Sequence, residues 1–418
     1  LFNQGKIDRI IISPQQIDPT RKSAIINKAL AYNIRVMDVP PVTRWINGEL
    51  SVRQLRNIDI DDLLGRPAIR LDLDQVKSKI EGKVVLVTGA AGSIGSELVR
   101  QIIAYNPKKI ILVDQAETPL YEFELELKTS GQIEMCDFVI ADVRQLDRVK
   151  RMMNHFMPNL VFHAAAYKHV PLMEENPSEA VLTNVMGTKN MVDVSHQIGV
   201  ESFVFISTDK AVNPTSVMGA SKRLAEMYAQ SMNANSPTQF ITTRFGNVLG
   251  SNGSVIPLFK RQMSNGGPLT VTHEDITRYF MTIPEAVQLV LEASAMGEGG
   301  EIFVFDMGES VRIIDLARNM IKLSGLIEGR DIEIKITGLR PGEKLYEELL
   351  SKEEDTIPTH HAKILKAKVR PHTFAEVEKN ISELIQLFNT QDNSKIVAKM
   401  KSLVPEYKSQ NSAYSELD

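Results

Sequence analysis

At 418 residues and 43% hydrophobic side chains, this chain can bury one large core and a smaller unit beside it. Its formal net charge of −4 and pI near 6.1 argue against a general nucleic-acid partner, because no excess positive field steers phosphate backbones. A sole cysteine, Cys136, excludes an internal disulfide framework and suits a reducing compartment, and no apolar run reaches the ~20 residues that span a bilayer.

The chain begins at Leu1 rather than Met and reads as a fragment. Residues 7–39 predict strand, helix, strand: Ile7 to Ser13 is largely apolar and β-branched, Arg21 to Tyr32 has helical periodicity, and Ile34 to Val39 is apolar again. One βαβ unit has too little surface to fold alone, so residues 1–40 read as the remnant of an upstream α/β domain. Residues 41–80 read as a polar linker with Pro41, Trp45 and Pro67, and a short helix is expected over 58–65. Residues 81–245 become regular, with strands predicted at 83–88, 109–114, 135–141, 159–163, 202–206 and 238–243. Helical stretches at 93–105, 145–156, 177–198 and 219–232 separate them. That alternation predicts an α/β fold, a Rossmann-like doubly wound parallel sheet. Residues 246–370 loosen into a loop-rich region with helices near 284–297, 313–324 and 343–350, expected to form a smaller C-terminal substrate-binding subdomain. C-terminal helices are expected within 371–404, one of them amphipathic over 374–388, and the Ser-, Lys- and Glu-rich tail 405–418 is expected to be disordered.

Val84-Val-Leu-Val-Thr88-Gly89-Ala-Ala-Gly92-Ser93-Ile94-Gly95 is an apolar strand running into a glycine-rich turn and a helix. Gly89 permits the tight turn, Gly92 lets backbone approach a pyrophosphate, and Gly95 allows close helix–strand packing, with phosphates meeting free N–H groups at the positive helix end. Three glycines alone are weak evidence; the flanking strand and helix are what the mechanism requires. The next strand ends at Asp114, where a carboxylate accepts both ribose hydroxyls of NAD and repels the 2′-phosphate of NADP. Asp142 and Val143 follow the third strand, with Asp142 a candidate for the adenine amino group. Ala164, Ala165 and Ala166 offer small side chains where a cofactor lies against backbone. His163 reads as a packed or orienting histidine, since no second ligand stands at metal spacing; no metal site is expected. By motif and order these residues resemble the NAD-binding half of the extended short-chain dehydrogenase/reductases.

A buried strand from Glu201 to Ser207 delivers Thr208-Asp209-Lys210 to its C-terminal edge, where open α/β sheets keep their ligands. Asn213-Pro214 breaks the chain, and a helix is expected to begin near Ser216 to Gly219. Met218 and Lys222, at i and i+4, then share one helix face. Lys222 can bond the nicotinamide ribose and lower the pKa of nearby hydroxyls. The dehydrogenase/reductase pattern has tyrosine where Met218 stands, and methionine cannot carry a proton. A 4,6-dehydration of a hexose supplies a use for the neighbours. Hydride leaves C4, the ketone acidifies C5–H, a base removes that proton, an acid protonates the departing C6 hydroxyl, and C6 takes the hydride back. Asp209 as acid and Lys210 as base supply both groups, provided partial burial lowers the lysine pKa. For the C4 hydroxyl proton, Thr208, a bound water, and Asp209 or Lys222 all stand as acceptors.

This constellation resembles the UDP-N-acetylglucosamine 4,6-dehydratases of bacterial polysaccharide and glycan biosynthesis, in the long, membrane-attached branch that has Met for Tyr. The matching motifs are Thr208-Asp209-Lys210, Asn213-Pro214-Thr215, Met218-Gly219-Ala220-Ser221-Lys222 and His163 through Lys168, His169 and Pro171, over roughly residues 5–370. The resemblance implies UDP-N-acetylglucosamine as substrate and retention at C5. It also implies homo-oligomers formed through the helices at 177–198 and 219–232, and membrane attachment through sequence upstream of Leu1, with this portion facing the cytoplasm. It further implies substrate contacts from Lys168, His169, Asn184, Asn247, Val255, Arg261, Arg278 and Arg340, the last two clamping the diphosphate with guanidinium forks. Two other readings compete: a UDP-sugar 4-epimerase, which needs tyrosine at 218, and a catalytically dead NAD-binding scaffold, which the loss of tyrosine favours.

Overall fold

The computed structural model describes residues 7, 9–13, 17–32, 34–39, 56–58, 69, 71–349, 355–369 and 372–418. The expected helix over 58–65, apart from Ile58, and the linker residues Pro41, Trp45 and Pro67 lie outside the described residues. The chain divides into two compact units: one drawn from residues 70–248, 283–309 and 339–418, the other from 1–69, 249–282 and 310–338.

The larger unit is built on a nine-stranded sheet. Its spatial order is Asp355–Pro358, Ile364–Lys368, Ile302–Phe305, Gln239–Phe245, Ser202–Thr208, Leu160–His163, Val84–Thr88, Lys109–Asp114 and Cys136–Ile140. Seven strands run parallel, and the two that follow residue 350 pair antiparallel at the far edge. The order reverses between Val84–Thr88 and Leu160–His163, the switch point at which doubly wound sheets open a crevice for ligands. The central strands are near-continuous apolar runs because helices cover both faces, as parallel sheets require. All six expected strands are present, within a residue or two at each end.

Boundaries expected at 245 and 370 do not coincide with the units, because Ile302–Phe305 pairs with Gln239–Phe245 and draws Ile364–Lys368 into the same sheet. Residues 177–198 form not one regular helix but Pro177–Ala180, a π-helical stretch Val181–Met186 and Gly187–Ile198. No helix forms over 343–350 within the described residues; Gly342 takes φ +75° and the segment after it turns to bond a loop. Helix Glu117–Thr129 is present beyond those placed from sequence, and Phe374–Gln386 and Asn393–Leu403 are the C-terminal helices expected within 371–404.

The tail is a correction. Residues 405–418 are packed rather than disordered: Tyr407 is buried with the main core, and Lys408 and Gln410 donate backbone bonds to the carbonyls of Pro214 and Thr215 at 3.0 and 3.2 Å. Charge and serine content misled because the ordering contacts are backbone bonds to a distant loop. Phe374–Gln386 and Asn393–Leu403 bring Val377, Ile381, Leu384, Ile396, Val397 and Met400 against Val217–Met232 and the segment around 177–186. These are the helices to which association was assigned, and the chain's own C-terminus covers part of their surface.

The smaller unit joins the N-terminal strand–helix–strand, Arg9–Ile12, Pro19–Ala31 and Arg35–Asp38, to later segments. Asp18 caps the helix by accepting from the backbone N–H of Thr20 and Arg21. Its small core of Ile12, Ile26, Ala29, Leu30, Ile34, Val36 and Ile58 also takes in Leu323, so the N-terminal segment completes itself with helix Ile313–Leu323.

Leu384 is fully buried in the main core. Leu384→Ala is expected to lower the unfolding free energy by about 3 kcal/mol, read from denaturant curves. An unchanged midpoint would show that the C-terminal helices are not part of the cooperative core.

Candidate active site

Gly89 stands at φ +65°, and a Cβ there would lie 2.8 Å from the N of Ala165. At Gly95 a Cβ would lie 2.1 Å from the Gly89 oxygen. These two glycines therefore hold strand, turn and helix together. Helix Ser93–Ile103 starts from Gly92 with no side-chain cap, so its first N–H groups face the turn as an anion cradle. Asp114 bonds Ala91 N–H at 3.0 Å and Ala116 N–H at 2.9 Å, one through each oxygen, which fixes the carboxylate beside the turn. A glycine cradle, an open helix end and a fixed carboxylate fit a dinucleotide.

Thr88 and His163 lie directly beneath. The Thr188 hydroxyl donates to the Asn184 carbonyl at 2.7 Å, so its contact with His163 Nε2 at 3.0 Å makes Nε2 the donor. His163 Nδ1 is then the acceptor for the Thr88 hydroxyl at 2.7 Å. Burial, reinforced by the charge of Lys222, pushes the His163 pKa down to about 3, in accord with this neutral tautomer. The chain continues from the Asn184 amide to Ser221 Oγ at 2.9 Å, and from Ser221 to the Met218 carbonyl at 2.7 Å. A buried hydrogen-bond line thus joins the dinucleotide turn to the reaction helix.

Asn184, expected at the substrate, is 1% exposed, and its amide bonds Tyr167 N–H, Tyr167 C=O and Ser221, so it positions the turn after Ala166. Asp142 is likewise engaged, with Arg144 Nε reaching its two oxygens at 3.0 and 2.8 Å; that partner holds its pKa below the usual carboxylate range against the opposing effect of burial. Val143 is buried, and its carbonyl accepts from Asn190.

Strand Ser202–Thr208 ends at the reaction site. The Thr208 hydroxyl donates to Asp209 Oδ1 at 2.8 Å, and Lys210 Nζ donates to the same oxygen at 2.9 Å. Asp209 is fully buried, while its other oxygen, Oδ2, has no hydrogen-bond partner. Lys210 also donates to Asn247 Oδ1 at 3.0 Å, so Asn247 serves Lys210 directly. Helix Val217–Met232 is capped by Ser216, whose Oγ accepts from Gly219 N–H. It approaches so near that a Cβ on Gly219 would lie 2.2 Å from the Lys210 carbonyl oxygen. Met218 is buried within the main core. Lys222 Nζ donates to the Ile206 carbonyl at 2.7 Å and lies 4.0 Å from the centroid of the Phe205 ring. Burial, opposed by the charge of Glu226, lowers its pKa to about 7.

His169 lies near Lys168 and Arg340 in the same unit; partial burial and then the charges of Lys168 and Arg340 hold its pKa below its usual value. Arg340 is exposed and pairs with Glu343 at 3.1 Å. Val255, Arg261 and Arg278 belong to the smaller unit. Val255 opens helix Val255–Ser264, Arg261 is exposed on it, and Arg278 is buried and donates to the Thr277 carbonyl.

Two features escaped sequence reasoning. Glu347 stands 3.7 Å from Lys210 Nζ, and only an acidic pair after Arg340-Pro-Gly hinted at it. Glu226 and Arg244 form a buried bidentate pair at 2.7 and 2.8 Å, four residues beyond Lys222 on its helix. Among the described residues, no cluster of His, Cys, Asp or Glu is arranged to hold a metal ion, and no helix is long and apolar enough to cross a membrane.

A Rossmann-like sheet with a dinucleotide turn and an acid–lysine pair at one strand end defines an extended short-chain dehydrogenase/reductase fold. The profile of the polysaccharide biosynthesis protein family matches residues 85–369, and the chain belongs to that family. It is 48% identical over 95% of its length to the capsular polysaccharide biosynthesis protein CapD of Staphylococcus aureus, of which it spans 66%, just under two thirds. A UDP-N-acetylglucosamine 4,6-dehydratase (inverting) of Campylobacter jejuni is 35% identical over 65% of the chain and 78% of that relative. A UDP-glucose 4-epimerase of Rickettsia rickettsii is 37% identical over 65% and 79%. Among solved structures, Pen from Bacillus thuringiensis superposes with a TM-score of 0.64 at 32% identity, covering 73% of this chain and 98% of that one.

Lys222 supplies a test of the buried helix face. Its folded pKa is about 7 against an ordinary 10.5, so between these values the unfolded chain binds the additional proton. Through this group, stability therefore rises with pH across that window. Lys222→Met is expected to remove that rise, seen by comparing unfolding free energies at about pH 7 and about pH 10. Equal slopes in the two proteins would contradict the buried placement.

Proposed function

We propose that this chain catalyses NAD-dependent 4,6-dehydration of UDP-N-acetylglucosamine to the 4-keto-6-deoxy sugar, with C5 configuration retained, for bacterial surface polysaccharide or glycan synthesis. One observation carries the reading: Asp209 Oδ1 receives both the Thr208 hydroxyl and Lys210 Nζ, at 2.8 and 2.9 Å. NAD, when bound, supplies a hydride acceptor for C4 and a hydride donor for C6. Gly89, Gly92 and the N-terminus of helix Ser93–Ile103 would hold its pyrophosphate, with Asp114 at a ribose and Lys222 at the nicotinamide end.

The proton balance assigns the remaining roles. The C4 hydroxyl gives its proton to Thr208, which passes its own to Asp209 along the existing hydrogen bond. Neutral Lys210 takes the C5 proton, the C5–H electron pair forms the C5–C6 double bond, and the C6–O bond breaks as Asp209 protonates the leaving oxygen. Water departs, leaving Asp209 as carboxylate and Lys210 as ammonium. When C6 receives hydride, Lys210 returns its proton to C5 from the face that lost it, which accounts for retention. Both groups end as they began. Met218 takes no part in proton transfer and fills the core beside the site. In this reading Lys168 and Arg340 attract the diphosphate. Self-association and attachment to the cytoplasmic face of the membrane through upstream sequence belong to the same proposal.

Epimerisation is the second reading, favoured by the similarity to the Rickettsia rickettsii epimerase. It leaves the Asp209–Lys210 pair without a use. Incubation with UDP-N-acetylglucosamine in heavy water separates the two: dehydration is expected to yield a product one water lighter with deuterium at C5. An isomer of unchanged mass would replace the dehydratase reading with the epimerase. Lys210→Ala and Asp209→Asn are each expected to cut turnover by at least about 10²-fold. Wild-type turnover in either variant would remove the assigned roles.

A further inference from the structure

Beyond the residues that handle protons stands a carboxylate whose burial the scheme does not yet use. Glu347 has a side chain only 3% exposed and lies 3.7 Å from Lys210 Nζ. A buried carboxylate is costly unless opposite charge or hydrogen bonds compensate it, and the charge that would compensate Glu347 arises when Lys210 takes a proton. The segment that carries it is tied at several points to the loop just after Lys210. Lys344 Nζ donates to the Val212 carbonyl at 2.9 Å, Asn213 Nδ2 donates to Glu348 at 3.1 Å, and the Thr215 hydroxyl donates to the Gly342 carbonyl at 3.0 Å. Gly342 N–H in turn donates to the Gln410 carbonyl at 2.7 Å. At Gly342 a Cβ would lie 2.7 Å from Ser216 Cβ, so the approach is as close as backbone allows. Loop and segment therefore form one piece, and the distance between Lys210 and Glu347 is set before substrate arrives.

We propose that Glu347 is a positioning residue for Lys210, a fixed negative charge that stabilises the ammonium formed as Lys210 takes the C5 proton. The inference rests on the dehydratase reading above. In that step a C5–H bond breaks, an Nζ–H bond forms, and positive charge appears on Lys210 where none stood. A preorganised charge aimed at that atom acts more strongly in the transition state than before it. Asp209 cannot serve alone, because it is protonated at the start of the same step and loses its proton only as the C6–O bond breaks. Of the other lysines, Lys222 donates to the Ile206 carbonyl, and Lys344 to the Val212 carbonyl and Glu348. Oxidation at C4 runs through Thr208 and Asp209 and does not draw on Glu347.

The test uses the full chain loaded with NAD, UDP-N-acetylglucosamine in heavy water, and the variants Glu347→Gln and Glu347→Asp. In Glu347→Gln, kcat is expected to fall on the order of 10²-fold with KM little changed. The near-ultraviolet absorbance of reduced nicotinamide should build up during turnover, because oxidation outruns elimination. The limb of the pH–rate profile that rises with pH should move to lower pH, since a nearby carboxylate favours the charged form of lysine. Glu347→Asp keeps the charge and should recover part of the rate without moving that limb. It also carries the test if circular dichroism shows Glu347→Gln to be unfolded, because loss of packing alone would impair aspartate without build-up of reduced cofactor. Wild-type kcat and pH profile in Glu347→Gln, or slow turnover with neither absorbance build-up nor a shifted limb, would overturn the proposal. Failure of the wild-type chain to release water from UDP-N-acetylglucosamine would instead bring down the dehydratase reading and this inference with it.

Discussion

Everything at the reaction site depends on how near helix Val217–Met232 comes to the Lys210 carbonyl, where residue 219 has no room for a Cβ. That contact places two lysines of different character within one small region. Lys222, one turn along the helix, is driven under the sheet against the Ile206 carbonyl and the Phe205 ring, where burial lowers its pKa. Lys210, on the loop side, is turned toward Asp209, Asn247 and Glu347. The helix start is fixed from outside as well, since Glu174 accepts from the Val217 N–H at 2.6 Å and from the Ser412 hydroxyl. The C-terminal tail is thus part of what holds the start of helix Val217–Met232.

The dinucleotide turn obeys the same constraint. Gly89 and Gly95 allow backbone to meet backbone, and Thr88, beside them, begins the hydrogen-bond line through His163, Thr188, Asn184 and Ser221 to the Met218 carbonyl. Each member is buried and its geometry is used on both sides, so the line acts as a rigid spacer between the turn and the reaction helix. His163 and Asn184 thereby set the separation of the dinucleotide turn and helix Val217–Met232.

Sequence patterns that depend on near neighbours were readable. The six parallel strands, the glycine turn and the start of the reaction helix at Ser216 all follow from local periodicity, turn chemistry and capping. Elements whose reason lies far away in the chain were not. Residues 343–350 have helical composition, yet Lys344, Glu348 and Gly342 bond the loop 212–215, and those contacts override local preference. The tail reads as solvated until Lys408 and Gln410 find the carbonyls of Pro214 and Thr215.

The sequence by itself determined the chemistry that stands together on one strand end, Thr208-Asp209-Lys210, and the spacing that puts Met218 and Lys222 on one helix face. Adjacent residues and fixed helical periods leave little freedom. The tertiary structure alone decided which partners those groups meet: Asn247, just past the end of strand Gln239–Phe245, and Glu347, from a segment 137 residues downstream of Lys210, both turn to the same Nζ. It also decided that Asn184 and Asp142, polar and well placed in sequence, are engaged by their own neighbours. Buried polar groups must find partners, and which partner each finds is fixed by how the chain packs.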